Sequence, residues 1–130
     1  MAPERREMET ETRQPQPYRN PLAEPNWSRA EKEIARKVFQ SALEKELQDT
    51  VNAARQKMAK ITRASELWDL EDWLGRQRRQ IDEKYDYRYS VLLMVFVRLI
   101  AEGRLSESDL DGLHSDKIDH IRRILSFAKR

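Results

Sequence analysis

The sequence contains no cysteine, only three glycines and no long apolar run. Without cysteine the chain has neither disulfides nor a thiol nucleophile, which is typical of proteins from a reducing compartment. Three scattered glycines exclude a glycine-rich loop around a phosphate. The apolar run VLLMVFV, from Val91 to Val97, is far shorter than the roughly 20 residues that cross a bilayer. We therefore predict a cytoplasmic protein with no integral membrane segment.

The sequence also has little excess charge of one sign. The 25 lysines and arginines are interleaved with 23 acidic residues, which leaves a net charge of +2. Nucleic-acid binding needs a one-sided basic cluster, and only short runs such as RQRR at 76–79 suggest one, so we predict no nucleic-acid partner. Charged residues make up 37% of the chain and aromatics 8%, a composition typical of long solvated helices around a modest core.

The first 25 residues differ in composition from the rest. They contain all five prolines and few apolar side chains, so burial cannot offset the entropy lost on ordering. This composition predicts a disordered tail at residues 1–25. Residues 26–130 are predicted to form one all-helical domain, with a stalk at about 28–82 and a small C-terminal head at about 83–130.

The stalk begins with a long helix. Ser28 and Glu31 form an S-x-x-E capping box, and neither proline nor glycine occurs from Ser28 to Thr62. Such a helix is about 50 Å long, whereas a compact domain of this size has a radius of gyration of about 13 Å, so the helix must protrude. Apolar residues along it recur at alternating spacings of four and three, which favours lengthwise packing on a second copy. The predicted interface of this antiparallel homodimer contains Leu43, Leu47, Val51, Ala54 and Met58.

Further helices are predicted at 65–82 and 86–102, followed by a short helix from 106 to 113 and a last helix from 115 or 116. The helix at 65–82 has a narrow apolar stripe that should face the core. The helix at 86–102 is apolar on all sides near its middle, and Gly103 is placed to end it. The segment KYDYRYS at 84–90 places Tyr85 and Tyr89 on one face, as tyrosines at the edge of the core with their hydroxyls at the surface. The narrow apolar stripe of the helix at 65–82 consists of Leu67, Leu70, Leu74 and Ile81, with Tyr85 as a further candidate beyond its end.

Two tryptophans of the second helix cannot face the same way. Trp68 and Trp73 are separated by about 500° of helical rotation, and Trp68 is turned furthest from the stripe, by about 130°. Asp72, Gly75 and Arg79 share an arc of about 60° with Trp68, and Arg76 lies beside them. Such a cluster is typical of a binding hot spot. Spacing equally allows Trp68 to pack on the first helix or across a dimer, with Asp72 and Arg76 as a surface ion pair.

Catalytic residues are not predicted. Asp116 and His120 share a helix face, but two ligands are fewer than a metal site requires, so we interpret them as a surface pair. Glu71 and Asp72 are interpreted as solvated charges and not as an acid and a base. We expect a protein that is not an enzyme and that carries neither a metal nor a cofactor.

Four segments carry a family resemblance: NWSRAEKEIA, LWDLEDWL, IDEKYDYRYSVLLMVFVRLIAEG and DLDGLHSDKIDHIRRIL. Over about residues 26 to 126 the chain resembles the fluorescence recovery protein family of cyanobacteria. The resemblance implies an all-helical homodimer that binds the C-terminal domain of the photoactivated orange carotenoid protein. It also implies that the dimer promotes detachment of that partner from the phycobilisome and accelerates its return to the inactive orange form. The expected location is the cytoplasm, with a peripheral position at the thylakoid surface through phycobilisomes.

The same resemblance implies which residues act. Trp68, Asp72 and Arg78 match the family's functional tryptophan, aspartate and arginine, and Trp27 matches its tryptophan ahead of the first helix. The helical wheel places Arg78 at the edge of the core stripe, in a positioning role. The full predicted partner-binding set is Trp27, Trp68, Glu71, Asp72, Arg76, Arg78, Arg79 and Met94.

Four positions depart from the family pattern. Glu71 stands where the family has histidine, Trp73 and Met94 where it has phenylalanine, and Glu83 where it has glycine. The change to Glu71 reverses the possible charge at the contact face. The alternative hypothesis is therefore a divergent homologue that serves as a helical scaffold or adaptor for another protein partner.

Overall fold

A computed structural model describes residues 26–128, so the predicted tail at 1–25 lies outside the described residues. The described chain is all-helical, as predicted, and contains no strand. Its elements are α1 (Arg29–Ala59), α2 (Ala64–Lys84), α3 (Leu92–Ala101), a 3₁₀ helix (Glu107–Leu110) and α4 (Ser115–Ala128).

The start of α1 follows its local sequence. The Glu31 N–H donates to Ser28 Oγ at 3.1 Å, and the Ser28 N–H donates to Glu31 Oε1 at 2.9 Å, which confirms the capping box. The helix ends at Ala59, three residues before Thr62. The cause is Glu66, whose carboxylate accepts the N–H groups of Thr62 and Arg63 at 2.8 and 2.9 Å and starts α2 there.

The helix α2 folds back along α1, but its apolar stripe is only partly covered. Leu70 and Ile81 are buried as predicted, whereas Leu67 and Leu74 are 42% and 40% exposed. The prediction that the whole stripe faces the core is therefore wrong for those two leucines. The reason is that α1 covers only the Leu70 side of the helix, and no other described element covers the other side.

The third helix starts later than the predicted residue 86, at Leu92. Residues 85–91 are not helical, and the three tyrosines at alternate positions in this segment all join one aromatic column. Phe39 packs on Tyr85 and Tyr87 with ring centroids 5.4 and 4.8 Å apart, and Tyr87 packs on Tyr89 at 5.4 Å. The prediction that the Tyr85 hydroxyl lies at the surface is wrong as well, because this hydroxyl donates to Glu46 Oε1 at 2.8 Å inside the protein. Packing of these rings on α1 therefore stabilises a non-helical conformation of residues 85–91, where the sequence pattern predicted a helix from residue 86.

The end of α3 was predicted correctly. Gly103 has φ of 79°, a conformation that favours glycine, and the Arg104 N–H donates to the Leu99 carbonyl at 2.9 Å. The short helix that follows extends to Leu110 and not to residue 113, with Ser106 and Asp109 as its capping pair. The helices α3 and α4 then pack on each other and on the first half of α1, where Phe96, Leu99 and similar side chains form the core.

A buried ion pair ties the beginning of α1 to the head. Glu31 is 2% exposed and Lys117 5% exposed, and the ammonium lies 3.1 Å from Glu31 Oε2. Glu31 also accepts the His114 backbone N–H at 2.8 Å. Burial raises the Glu31 pKa, but the hydrogen bonds from His114, Ser28 and Lys117 outweigh it, so the pKa lies below its ordinary value of 4.5.

This carboxylate makes stability depend on pH. Because the folded pKa is depressed, its contribution is complete above pH 4.5 and is lost as pH falls through the folded value. We expect Glu31→Gln to lower the free energy of unfolding by about 1–3 kcal/mol at neutral pH and to flatten its decline below pH 4.5. Urea unfolding at several pH values measures both effects. An unchanged acid limb in the variant would assign the pH dependence to other carboxylates.

A second buried cluster joins the stalk to the head. Lys84, at the end of α2, lies 2.7 Å from both Glu46 of α1 and Glu102 at the end of α3, and its side chain is 7% exposed. Arg104 approaches the same Glu46 at 3.1 Å and Asp49 at 2.9 Å. Burial, followed by the hydrogen bond to Glu46, raises the Tyr85 pKa, so this hydroxyl remains protonated. We call this set of residues the stalk–head clasp.

Candidate protein-binding surface

The outer face of α2 presents a large aromatic side chain. Trp68 is 62% exposed, which confirms the prediction that it is the tryptophan turned outward. Trp73, in contrast, is half-buried, and the Lys57 ammonium lies 4.9 Å from its ring centroid. An indole exposed to this extent on a helix has surface available for a partner, and aromatic anchors of this kind supply much of the affinity of protein interfaces.

Polar side chains surround the exposed indole. Asp72, Arg76 and Arg79 are exposed on successive turns of α2. An added Cβ at Gly75 would lie 3.6 Å from Arg79 Nη1, so this guanidinium lies over the glycine. Within residues 26–128 no ion pair joins Asp72 to Arg76, so the predicted surface pair is not formed in the protomer. The carboxylate and the guanidinium groups therefore remain available to fix the orientation of a bound protein.

The position of Arg78 differs from the helical-wheel prediction. Its side chain is 84% exposed and lies 3.9 Å from Asp82, one turn along α2. It is exposed because the adjacent edge of the apolar stripe, at Leu74, is itself uncovered. Glu71 is also exposed. The predicted location of Arg78 at the edge of the core is thus wrong in the protomer, where its guanidinium is accessible, and its role stays a prediction.

The two remaining predicted contact residues lie in different surroundings. Met94 of α3 is 52% exposed on the surface of the head. Trp27 is half-buried: its ring lies 5.5 Å from the Tyr89 ring and 5.0 Å from the Lys117 ammonium. Most of the Trp27 indole therefore packs within the protomer, while Met94 is free to contact another molecule.

A second uncovered surface is apolar. Leu47, Val51 and Met58 of α1 are 44%, 41% and 52% exposed, and Leu67 and Leu74 of α2 are similarly uncovered. We call these five residues the apolar hairpin face. Of the other residues in the predicted dimer interface, Ala54 is half-buried, and Leu43 packs partly against the protomer's core. The sequence pattern missed the two leucines because it assigned them to the core.

The described residues contain neither a helix suited to cross a membrane nor a cluster of metal ligands. Across residues 26–128 no helix is long and apolar enough to cross a membrane. Over the same range, no three histidine, cysteine or acidic side chains are grouped so as to hold a metal ion.

The fold and its uncovered faces define an all-helical protein with extensive surface suited to contacts with other proteins. A family model described as photoprotection regulator fluorescence recovery protein matches residues 27–125. The chain belongs to this fluorescence recovery protein family.

Individual relatives agree with this assignment. The fluorescence recovery protein of Synechocystis sp. is 36% identical over 102 residues, which cover 78% of this chain and 94% of the relative. The structure of the Fremyella diplosiphon fluorescence recovery protein superposes with a TM-score of 0.71 at 40% identity, covering 78% of this chain and 98% of that one. The Synechocystis sp. PCC 6803 structure gives 0.71 at 36% identity, covering 75% and 96%. The predicted fold class and family are confirmed.

Proposed function

We propose that the protein is a non-enzymatic regulator that binds the C-terminal domain of the photoactivated orange carotenoid protein. It promotes detachment of that protein from the phycobilisome and accelerates its return to the inactive orange form. The observation that carries the proposal is the exposure of Trp68, at 62%, beside the accessible carboxylate of Asp72 in a member of this regulator family. Its place of action is the cytoplasm, at phycobilisomes on the thylakoid surface.

The physical requirement on such a regulator is differential binding. A protein that binds the active form and the transition state equally well shifts no rate, because only additional contacts in the transition state lower the barrier. The surface of α2 is suited to this role because it is rigid: Trp68 and Asp72 lie on one regular helix that packs on α1. A regular helix holds the backbone of both residues at a set spacing, which favours one relative arrangement of the groups that they contact.

The proposed active unit is an antiparallel homodimer. The apolar hairpin face combines side chains of both stalk helices, and its five large apolar residues are each at least 40% exposed in the protomer. Several large apolar side chains left exposed on one hairpin favour an association site there. Pairing of this face with the same face on a second copy would bury the leucines of α2 that are partly exposed in the protomer.

A scaffold or adaptor for a different protein is the second candidate function. It is favoured by Glu71, an exposed acidic side chain next to Asp72 where the resemblance places histidine. Two adjacent carboxylates would repel an acidic contact that a histidine accepts. Affinity capture from the source cells with the unmodified protein, and with Glu71→His, separates the candidates: recovery of the carotenoid protein by both supports the regulator.

Truncation of the exposed indole tests the proposed site. We expect Trp68→Ala to weaken the complex with the photoactivated carotenoid protein by about 30-fold, the effect of losing an interface hot spot. Asp72→Ala should weaken it in the same direction. The control is Phe127→Ala, which removes an aromatic ring that is 64% exposed on α4. Equal affinities for Trp68→Ala and the unmodified protein, measured by titration with both folded, would show that the site is elsewhere.

A further inference from the structure

A groove lies where α1 and α2 meet at the end of the hairpin. It encloses about 340 Å³, and its lining includes the half-buried indole of Trp73 and charged side chains from both helices. The charged lining residues are Lys57, Lys60, Glu66, Asp69 and Arg76. This groove is separate from the apolar hairpin face.

The groove has more positive than negative side chains, with three cations and two carboxylates in its lining. Lys57, Lys60 and Arg76 are exposed, and none forms an ion pair with another residue of the described part of the chain. Lys57 instead lies over the Trp73 ring, at 4.9 Å from its centroid. Of the acids, Glu66 is engaged in capping α2, and the backbone N–H of Thr62 is the main cause of its lowered pKa. Asp69 is left as the one acid of the lining that faces the three cations without such an engagement.

The groove is continuous with the face that carries Trp68. Asp72 and Arg76 are one turn apart on α2, and Arg76 also lines the groove. A protein seated on Trp68 and Asp72 therefore lies beside Arg76, at the rim of the groove. Its affinity would rise if it placed carboxylates there, since oppositely charged surfaces attract across an interface.

We propose that this groove is a second contact of the partner-binding surface and that it receives an acidic segment of the protein partner. Carboxylates of that segment pair with Lys60 and Arg76, and an apolar side chain rests on Trp73. This inference rests on the proposed function, because it assigns the groove to the same partner. The salt dependence of binding follows from it, since exposed ion pairs are screened by salt.

The test compares two double variants of the full chain in titrations with the photoactivated orange carotenoid protein at several salt concentrations. Lys57→Gln with Lys60→Gln removes two charges from the groove. Lys37→Gln with Lys45→Gln removes two exposed lysines of the same helix that do not line it. We expect the groove variant to bind about tenfold more weakly at low salt and with a smaller salt dependence. The control variant should bind as the unmodified protein does.

Each other outcome overturns the inference in a distinguishable way. Equal affinity of the groove variant and the unmodified protein shows that the groove is not a contact, while the proposed function stands. An equal loss in both variants shows a general charge effect. If the groove variant, measured without the partner, differs in molar mass from the unmodified protein, a second copy of the chain occupies the groove. Absence of a complex with the unmodified protein removes the inference together with the proposed function.

Discussion

A Val51→Glu protein is expected to be a monomer in solution, with a molar mass of 15.5 kDa, whereas the unmodified chain should have twice that value. Val51 lies in the middle of the apolar hairpin face and is 41% exposed in the protomer. Association would place the new carboxylate in an apolar environment without a partner, at a cost of several kcal/mol. Light scattering coupled to size-exclusion chromatography measures this change directly.

The side chain of Val51 is not part of the protomer's core, so the variant should keep its helical content. Lys45→Glu provides the control, because it introduces the same carboxylate at an exposed position of the same helix outside the face. An unmodified protein that is monomeric at micromolar concentration would contradict the dimer. A Val51→Glu protein that remains dimeric would place the interface on another surface.

Replacement of Lys84 by methionine is expected to lower the free energy of unfolding by about 3–5 kcal/mol. The ammonium lies 2.7 Å from the carboxylates of Glu46 and Glu102, and its side chain is 7% exposed. Without it, two carboxylates face each other in a largely buried site with Arg104 as their remaining shared cation. Methionine retains most of the volume of lysine, so the loss reports on charge and not on a cavity.

The comparison variant is Arg122→Gln, which breaks the surface pair with Glu107 at the head and should leave the denaturation midpoint unchanged. Denaturation is measured at one protein concentration, because dimer formation adds to the apparent stability. A Lys84→Met protein as stable as the unmodified one would show that the stalk–head clasp contributes little and that apolar packing alone fixes the head.

Local signals predicted the helix boundaries only where the deciding contacts were local. The capping box of Ser28 and Glu31 and the left-handed Gly103 were predictable, because both depend on residues within one or two turns. The start of α3 was not. The segment 85–91 leaves the helical conformation because Tyr85 and Tyr87 pack on Phe39, about 46 and 48 positions earlier in the chain, and no local pattern reports such a contact.

The candidate surface was predicted in part. The outward direction of Trp68 follows from helical rotation alone, and the structure agrees with it. Leu74 and Arg78 were misplaced because a helical wheel shows which side is apolar but not whether a neighbour covers it. The groove next to Trp73 was missed for a related reason: its cations come from two helices, and only the hairpin brings Lys57 and Arg76 together.

The proposed action on the photoactivated orange carotenoid protein is tested most directly by the dark recovery of that protein. The red form is generated by light, the light is removed, and absorbance follows the return of the orange form with and without an equimolar amount of dimer. We expect a faster return with the unmodified protein and a much smaller acceleration with Trp68→Ala. A recovery rate that the unmodified protein leaves unchanged would contradict it.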